Sequence, residues 1–245
     1  MKILIPNAKE LNTNLESQSF QGLPKASQEI LSVLRQMTAQ QLAVFYKMKP
    51  DKAELELDRW RRIDQKQARL YPAWQLYDGL MYRYMNRRDL SEAEVAYLKE
   101  HIFITTGFYG AISVFEAIAP HRLDFQGSLK IGQKSLKQFW RNQYDQLVQD
   151  DELVISLLSS EFEAVFSPSI QKKLIKITFM EDKDGRLQVH STISKKGRGR
   201  LVSEMAKNNV QSIGELKNLQ VDGFCFREDL SKDTELIFVR IAPSV

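Results

Sequence analysis

Short apolar runs, too brief to be helices, recur from one end of this chain to the other. "KILIP" (residues 2–6), "IFITT" (102–106), "LVISLL" (153–158) and "TELIFVRI" (234–241) each hold four to eight mostly apolar residues. Runs of that length bounded by polar or glycine-bearing segments read as buried strands. Helical patterns lie between them. Ile30, Leu31 and Leu34 keep helix spacing, and Thr38 is placed to cap a helix carrying Leu42, Phe45 and Tyr46. Asp51 is read as the cap of the next helix, with Leu55, Leu57, Trp60 and Ile63. Ser91 and Glu94 form a capping box, and "QKSLKQFWRNQYDQLV" turns Leu136, Phe139, Trp140, Leu147 and Val148 inward. In the last third, "LIKITFMED" and "RLQVHSTIS" alternate with period two around a "KDG" turn, which predicts a hairpin. No tandem repeat, low-complexity tract or linker divides the chain. Residues 1–245 therefore read as a single mixed α+β domain.

The totals agree with a packed fold. Apolar residues make up 43% and charged residues 27%, enough for a core and too little charge for disorder. A net charge of +4 permits a polyanionic partner without requiring one. The single cysteine, Cys225 in "GFCFRE", rules out an internal disulfide and a thiolate zinc cluster. Between two phenylalanines it reads as a buried, inert thiol, with no disulfide-linked partner. The N-terminal apolar stretch is too short for a signal-peptide core, and no run reaches membrane-spanning length, so a cytoplasmic location away from membranes is expected.

Much chemistry is missing. His101, His121 and His190 lack partners at metal-ligand spacing, and there is no H-E-x-x-H, Walker A or G-x-G-x-x-G pattern. Glu181, Asp182 and Asp184 sit beside the hairpin turn and read as a solvated tip. Neither a metal nor a cofactor is expected.

Four features suit an anion. In "STISKKGRGRLVSEM" (191–205), Lys195, Lys196, Arg198 and Arg200 surround Gly197 and Gly199. Read as a strand-to-helix joint with the helix starting at Gly199, this segment offers free amides and forked donors to a phosphate; a solvated turn is the competing reading. In residues 38–63, two short helices flank "KMKPDK", with Lys47, Lys49 and Lys52 at the joint and Arg59, Arg61 and Arg62 beyond it. Such a helix–hairpin–helix element can hold a nucleic-acid backbone, although this one lacks the usual glycines and an ordinary helical hairpin fits as well. "TTGFYGAI" (105–112) places Gly107 and Gly110 between a strand and an expected helix, either as a phosphate cradle or as a tight turn with Phe108 and Tyr109 packed inward. Lys9 and Arg122 stand near segment ends where sites gather.

Taken together, "KILIPNAKELN", "YDGLMYRYM", "ITTGFYGAISVFEAIAPHRLDF", "LKQFW", "ISLLSSEF", "TISKKGRGRLVSEM" and "VDGFCFRE…ELIFVR" resemble, in this order and over essentially the whole chain, the YaaA family of bacterial peroxide-stress proteins. The resemblance implies a single α+β domain of unusual topology with a basic cleft and a helix–hairpin–helix element. It also implies binding of double-stranded, branched or otherwise distorted DNA and a role in limiting iron-driven oxidative damage. The family's N-terminal lysine falls on Lys9, its glycine–aromatic–glycine turn on Gly107–Gly110, the arginine after it on Arg122, and its K-K-x-R-G stretch on Lys195, Lys196, Arg198 and Gly199. Where the family opens with serine-proline-alanine-lysine-threonine, this chain has Asn7 before Ala8 and Glu10 after Lys9. The expected function is non-enzymatic DNA binding through Lys9, Arg122, Lys195, Lys196, Arg198 and Arg200, with the 47–59 hairpin as a second grip and Tyr77, Tyr82 and Tyr109 available to stack on bases. The alternative is an enzyme acting on a phosphorylated small molecule or nucleotide in the same cleft.

Overall fold

A computed structural model describes residues 1–242. Its centre is an eight-stranded, mostly parallel sheet: β1 (Lys2–Pro6), β2 (Ile102–Thr106), β3 (Gly110–Ser113), β4 (Val154–Ser156), β5 (Leu174–Lys183), β6 (Arg186–Gln188), β7 (Cys225–Phe226) and β8 (Glu235–Ile241). The spatial order is β7-β8-β5-β4-β1-β2-β3, with β6 paired to β5. The five central strands run parallel, and β3, β6 and β7 are antiparallel additions.

The helices are α1 (Lys25–Leu34), α2 (Ala39–Tyr46), α3 (Pro50–Asp64), α4 (Leu80–Arg83), α5 (Glu92–His101), α6 (Leu136–Val148) and α7 (Ser191–Lys207), with further helical segments of four or five residues, among them Ile213–Lys217. They cover both faces of the sheet. Ile3 and Ile5 of β1 face a core shared with α5 and α7, while Leu4 faces a second core shared with α1, α3 and α6. Strands buried on both sides need apolar residues at every position, which is why "KILIP" and "LVIS" are continuous runs rather than alternating ones. Trp60 and Trp140 are fully buried in the second core, each contributing about 2–3 kcal/mol or more of hydrophobic stabilisation.

The topology locates a crevice. From β1 the chain proceeds to β2 on one side, and from β4 it proceeds to β5 on the other, although β1 and β4 are neighbours. Connections that diverge from adjacent parallel strands leave an opening at their carboxyl ends, the usual place for a ligand in such sheets.

Several expectations change. The helix α7 begins at Ser191, eight residues before Gly199, and the preceding strand ends at Gln188. Strand β6 is wholly exposed and short, so its alternation has nothing to pack against, while Ile193, Leu201, Val202 and Met205 give the following segment a core-facing helical side. The basic segment 195–200 is therefore mid-helix and has no free N-terminal amides. Gly107–Gly110 leads into strand β3, not a helix. Lys49 rather than Asp51 occupies the cap of α3, and Asp51 lies in the first turn, where its carboxylate complements the helix dipole. Cys225 is exposed, because the same period-two alternation that sends Phe224 inward sends its neighbour outward on the edge strand β7. The Thr38–Gln41 and Ser91–Glu94 capping boxes form as expected.

Candidate functional site

Beyond Pro6 the chain turns across the β1/β4 crevice as Asn7, Ala8 and Lys9. The Asn7 amide donates to the Thr105 carbonyl and its side-chain Nδ2 to the Leu123 carbonyl, both at 3.0 Å. The Tyr82 hydroxyl donates to the Pro6 carbonyl at 2.8 Å. A Cβ on Gly79 would lie 2.8 Å from the Ala8 Cβ, so the glycine lets the start of α4 press against this loop. Lys9 reaches over the opening to Gln126 Oε1 at 2.8 Å and Asp124 at 3.4 Å. Glu10, the departure from the family's opening, is paired with Arg83 and Lys9 is not its partner.

The other wall is α7. Gly197 abuts the Phe179 ring and Gly199 abuts the backbone of Met81, so the helix is held between β5 and α4. The four cations separate accordingly. Lys195 and Arg198 line the crevice, whereas Lys196 and Arg200 lie 5.0 and 5.3 Å from the centre of the Tyr84 ring and line none of its cavities. Arg198 is half-buried, its Nε is buried without a partner among the described residues, and desolvation lowers its pKa against the opposing charge of Glu163. Glu163 is itself occupied: the Ser156 hydroxyl donates to it at 2.7 Å and Lys176 pairs with it at 2.8 Å.

The helical pair α2–α3 forms where the sequence predicts it, joined by residues 47–49, with Lys47 in the left-handed region at φ 50°. Lys47, Lys49 and Lys52 are exposed at this hairpin. Arg59 is not: it pairs with Glu56, a buried carboxyl whose pKa burial raises and Arg59 and Arg122 pull back. Arg122 lies 5.7 Å from the centre of the Tyr46 ring. Beside it, burial holds the His121 imidazole down at about 4, with Nδ1 within 2.8 Å of the Ala119 carbonyl and Nε2 without a partner among the described residues.

Three cavities meet along this surface. One of 290 Å³ lies at the β1/β4 opening; one of 340 Å³ extends it past Glu163 and Lys176; one of 460 Å³ extends it the other way to Tyr46, Lys47, Arg122 and Lys137. The first and second share Ser159, Lys195 and Arg198, and the first and third share Lys9, Asp124, Gln126 and Glu161, so they form one trough. Of the predicted residues, the trough brings together Lys9, Lys47, Arg122, Lys195 and Arg198. Lys49 and Lys52 stand on the adjoining hairpin. Lys137, Lys176 and Ser159 belong to it without having been predicted; their segments stand out by apolar pattern or by family resemblance and not by these side chains, and the strand order reveals their position. A larger cavity of 840 Å³ between α1, α3 and Tyr109 holds none of the predicted cations.

The Gly107–Gly110 turn is a buried packing device. Its Gly107 and Tyr109 amides donate to the Leu123 carbonyl and the Thr106 hydroxyl, and its carbonyls accept from Trp140 and Ser27. Gly110 has φ +76°, and a Cβ there would lie 2.7 Å from the Trp140 ring. Tyr77 and Tyr82 are buried, and the Tyr109 hydroxyl accepts from the Ala119 amide, so these rings serve the core and are not exposed for stacking. Among the described residues no three His, Cys, Asp or Glu side chains gather as metal ligands, and no helix is long and apolar enough to cross a membrane.

A mostly parallel sheet covered on both faces, with a trough over its strand switch point, defines a mixed α+β protein built around a strand-end site. Comparison with known proteins gives the family. Residues 1–230 match the family described as "Peroxide stress protein YaaA". The chain is also similar to curated UPF0246 proteins of Streptococcus pneumoniae strains JJA and P1031, each 47% identical over 240 residues that span 98% of this chain and 99% of the relative. The chain belongs to this family of peroxide stress proteins.

Proposed function

We propose that this peroxide stress protein binds DNA through the strand-end trough, largely by backbone charge, and in the peroxide response limits iron-driven damage from that position. One observation carries the reading: cations far apart in sequence, from the β1 loop (Lys9), the α2–α3 hairpin (Lys47), the Arg122 segment and α7 (Lys195, Arg198), line one continuous surface. Carboxylates line it too: Glu163 is bonded to Lys176 and Ser156, Glu10 to Arg83 and Asp124 to Lys9, while Glu161 has no ion pair among the described residues and leaves the cations in excess. Neutralising about four to six phosphates gives a log–log salt slope of roughly −4 to −5, with little dependence on sequence.

The test compares duplex, branched and single-stranded DNA across a salt series. Lys9→Glu/Lys195→Glu changes two exposed trough residues and should weaken binding at least tenfold, a loss of about 1.4 kcal/mol. Lys172→Glu/Lys173→Glu makes the same charge change ahead of β5, at the opposite end of the strands, and should have a much smaller effect. Equal losses in both would reduce the trough to bulk electrostatics. Absence of binding at low salt, or a slope near zero, would refute the reading.

A further inference from the structure

The middle of the trough is more than a charged surface. Its 290 Å³ cavity has apolar walls from Ala8, Leu80, Met81 and Phe162, polar groups of Asn7, Glu10 and Tyr82 along the β1 loop and α4, and clusters of polar side chains where it joins its two neighbours. At one end are Ser159, Lys195 and Arg198; at the other are Lys9, Asp124, Gln126 and Glu161. Ligand sites are usually recesses of roughly 300–1,000 Å³ with apolar walls and a few placed polar groups, and this one stands at the lower end of that range. It has room for a single base–sugar–phosphate unit and none for the width of a duplex.

Arg198 makes the strongest demand for an occupant. A buried donor without a partner is costly, and its guanidinium Nε has none among the described residues. The carboxylate whose charge opposes it, Glu163, already has one oxygen bonded to Ser156 and the other to Lys176. The cationic end of the recess is thus under-compensated, and an anion there would bring donor and charge into balance. The far end offers the Asp124 carboxylate, which accepts from the Gln126 backbone amide at 2.9 Å and pairs with Lys9 at 3.4 Å but keeps lone pairs for a further donor, and the side-chain amide of Gln126, whose Oε1 accepts from Lys9 and whose Nε2 has no partner among the described residues. A carboxylate acceptor beside an amide donor suits the hydrogen-bonding edge of a nucleobase.

We propose that the recess at the β1/β4 switch point is a mononucleotide subsite, taking a phosphate at Ser159, Lys195 and Arg198 and a base edge at Asp124 and Gln126. The nucleotide is either free or extruded from a DNA strand lying in the trough, as enzymes and binders that address single bases require. The extruded source rests on the DNA-binding reading; the free source does not.

Two probes separate these cases. The first is direct binding of deoxynucleoside 5′-monophosphates, with the nucleosides and inorganic phosphate as comparisons. The monophosphates should bind at least tenfold more tightly than either fragment, Arg198→Met should abolish this preference, and Lys195→Gln should weaken it at least threefold. Lys195 is exposed, so its variant tests the site even if Arg198→Met fails to fold. The second probe is a duplex carrying one 2-aminopurine, whose fluorescence rises several-fold on unstacking. A rise on binding that excess monophosphate suppresses identifies the extruded source. Monophosphate binding without duplex binding supports the subsite with a free nucleotide and overturns the DNA reading. Duplex binding with neither monophosphate binding nor a fluorescence rise leaves the DNA reading intact and overturns the subsite. Inorganic phosphate binding as tightly as the monophosphates also overturns it, since the base end would then contribute nothing.

Discussion

Replacing Gly197 with alanine tests what the glycines of the basic segment are for. In an exposed helix, Gly→Ala stabilises by about 1 kcal/mol, because alanine loses less backbone entropy on folding. At Gly197 the added Cβ would lie 2.6 Å from Cγ, 2.7 Å from Cδ1 and 2.9 Å from Cδ2 of Phe179, where ordinary contact begins at 3.4 Å. The ring would have to retreat by about 0.8 Å, yet it is fully buried and packed between Phe224 and Phe238, with ring centres 5.1 and 5.7 Å away. Because the ring cannot yield, the overpacking cost falls in the upper part of the usual range, about 2–3 kcal/mol, and against the gain of about 1 kcal/mol the net expectation for Gly197→Ala is a loss of about 1–2 kcal/mol. That lowers Tm by about 2–8 °C in a chain of this size. Gly214→Ala is the internal comparator: Gly214 is exposed and helical, its nearest obstacle is the Ser212 hydroxyl at 3.9 Å, and alanine there should raise Tm. Both are read by thermal unfolding under identical conditions. If Gly197→Ala raises Tm as Gly214→Ala does and lowers DNA affinity instead, the glycine serves a ligand and the packing argument is wrong.

Buried His121 should make stability depend on pH. Its folded pKa near 4 lies below the usual 6.5 of an unfolded chain, so its contribution is complete above about pH 6.5 and is lost as pH falls toward 4, at up to about 1.4 kcal/mol per unit and about 3 kcal/mol in all. His121→Phe should flatten the wild-type loss by that amount in urea unfolding between pH 7 and pH 4; parallel curves would contradict the assignment. Exposed Cys225 should react with a thiol reagent in the native state at one equivalent per chain, and Cys225→Ser should leave Tm within about 2 °C. A thiol that reacts only after denaturation would place Cys225 in the core.

Much of the frame is legible in the residues themselves. The doubly buried strands announce themselves as unbroken apolar runs, and the capping boxes at Thr38 and Ser91 announce their helices, because these signals are local. The errors arise where tertiary packing decides. "RLQVHSTIS" alternates as a strand should, but a strand with no sheet face to cover gains little, and the helix that buries Leu201 and Met205 extends back to Ser191. Gly107–Gly110 has the composition of an anion cradle, and only the tertiary contacts of Trp140, Ser27 and Leu123 show that its polar groups are already engaged. Arg59 looks like a free surface cation until Glu56 is found buried beside it. Lys137 and Lys176 carry no local signal at all, since their place in the trough follows from strand order.

The division of "KKGRGR" follows from helix geometry once the segment is known to lie inside α7. Successive residues advance about 100° around the axis. With Gly197 set against the sheet, Arg198 and Lys195 fall about 100° and 160° round on one flank, Gly199 about 200° round, and Lys196 and Arg200 about 260° and 300° round on the other. The two glycines are therefore on opposite faces, and each meets a different neighbour, Phe179 of β5 and Met81 of α4. A helix gripped from both sides cannot rotate, so the cations between the glycines are fixed by the same contacts: Lys195 and Arg198 over the strand ends, Lys196 and Arg200 over Tyr84. Charge and backbone freedom occur together here because close packing on two faces requires the glycines, and that packing holds one cation pair against the part of the sheet where diverging connections leave room for a ligand.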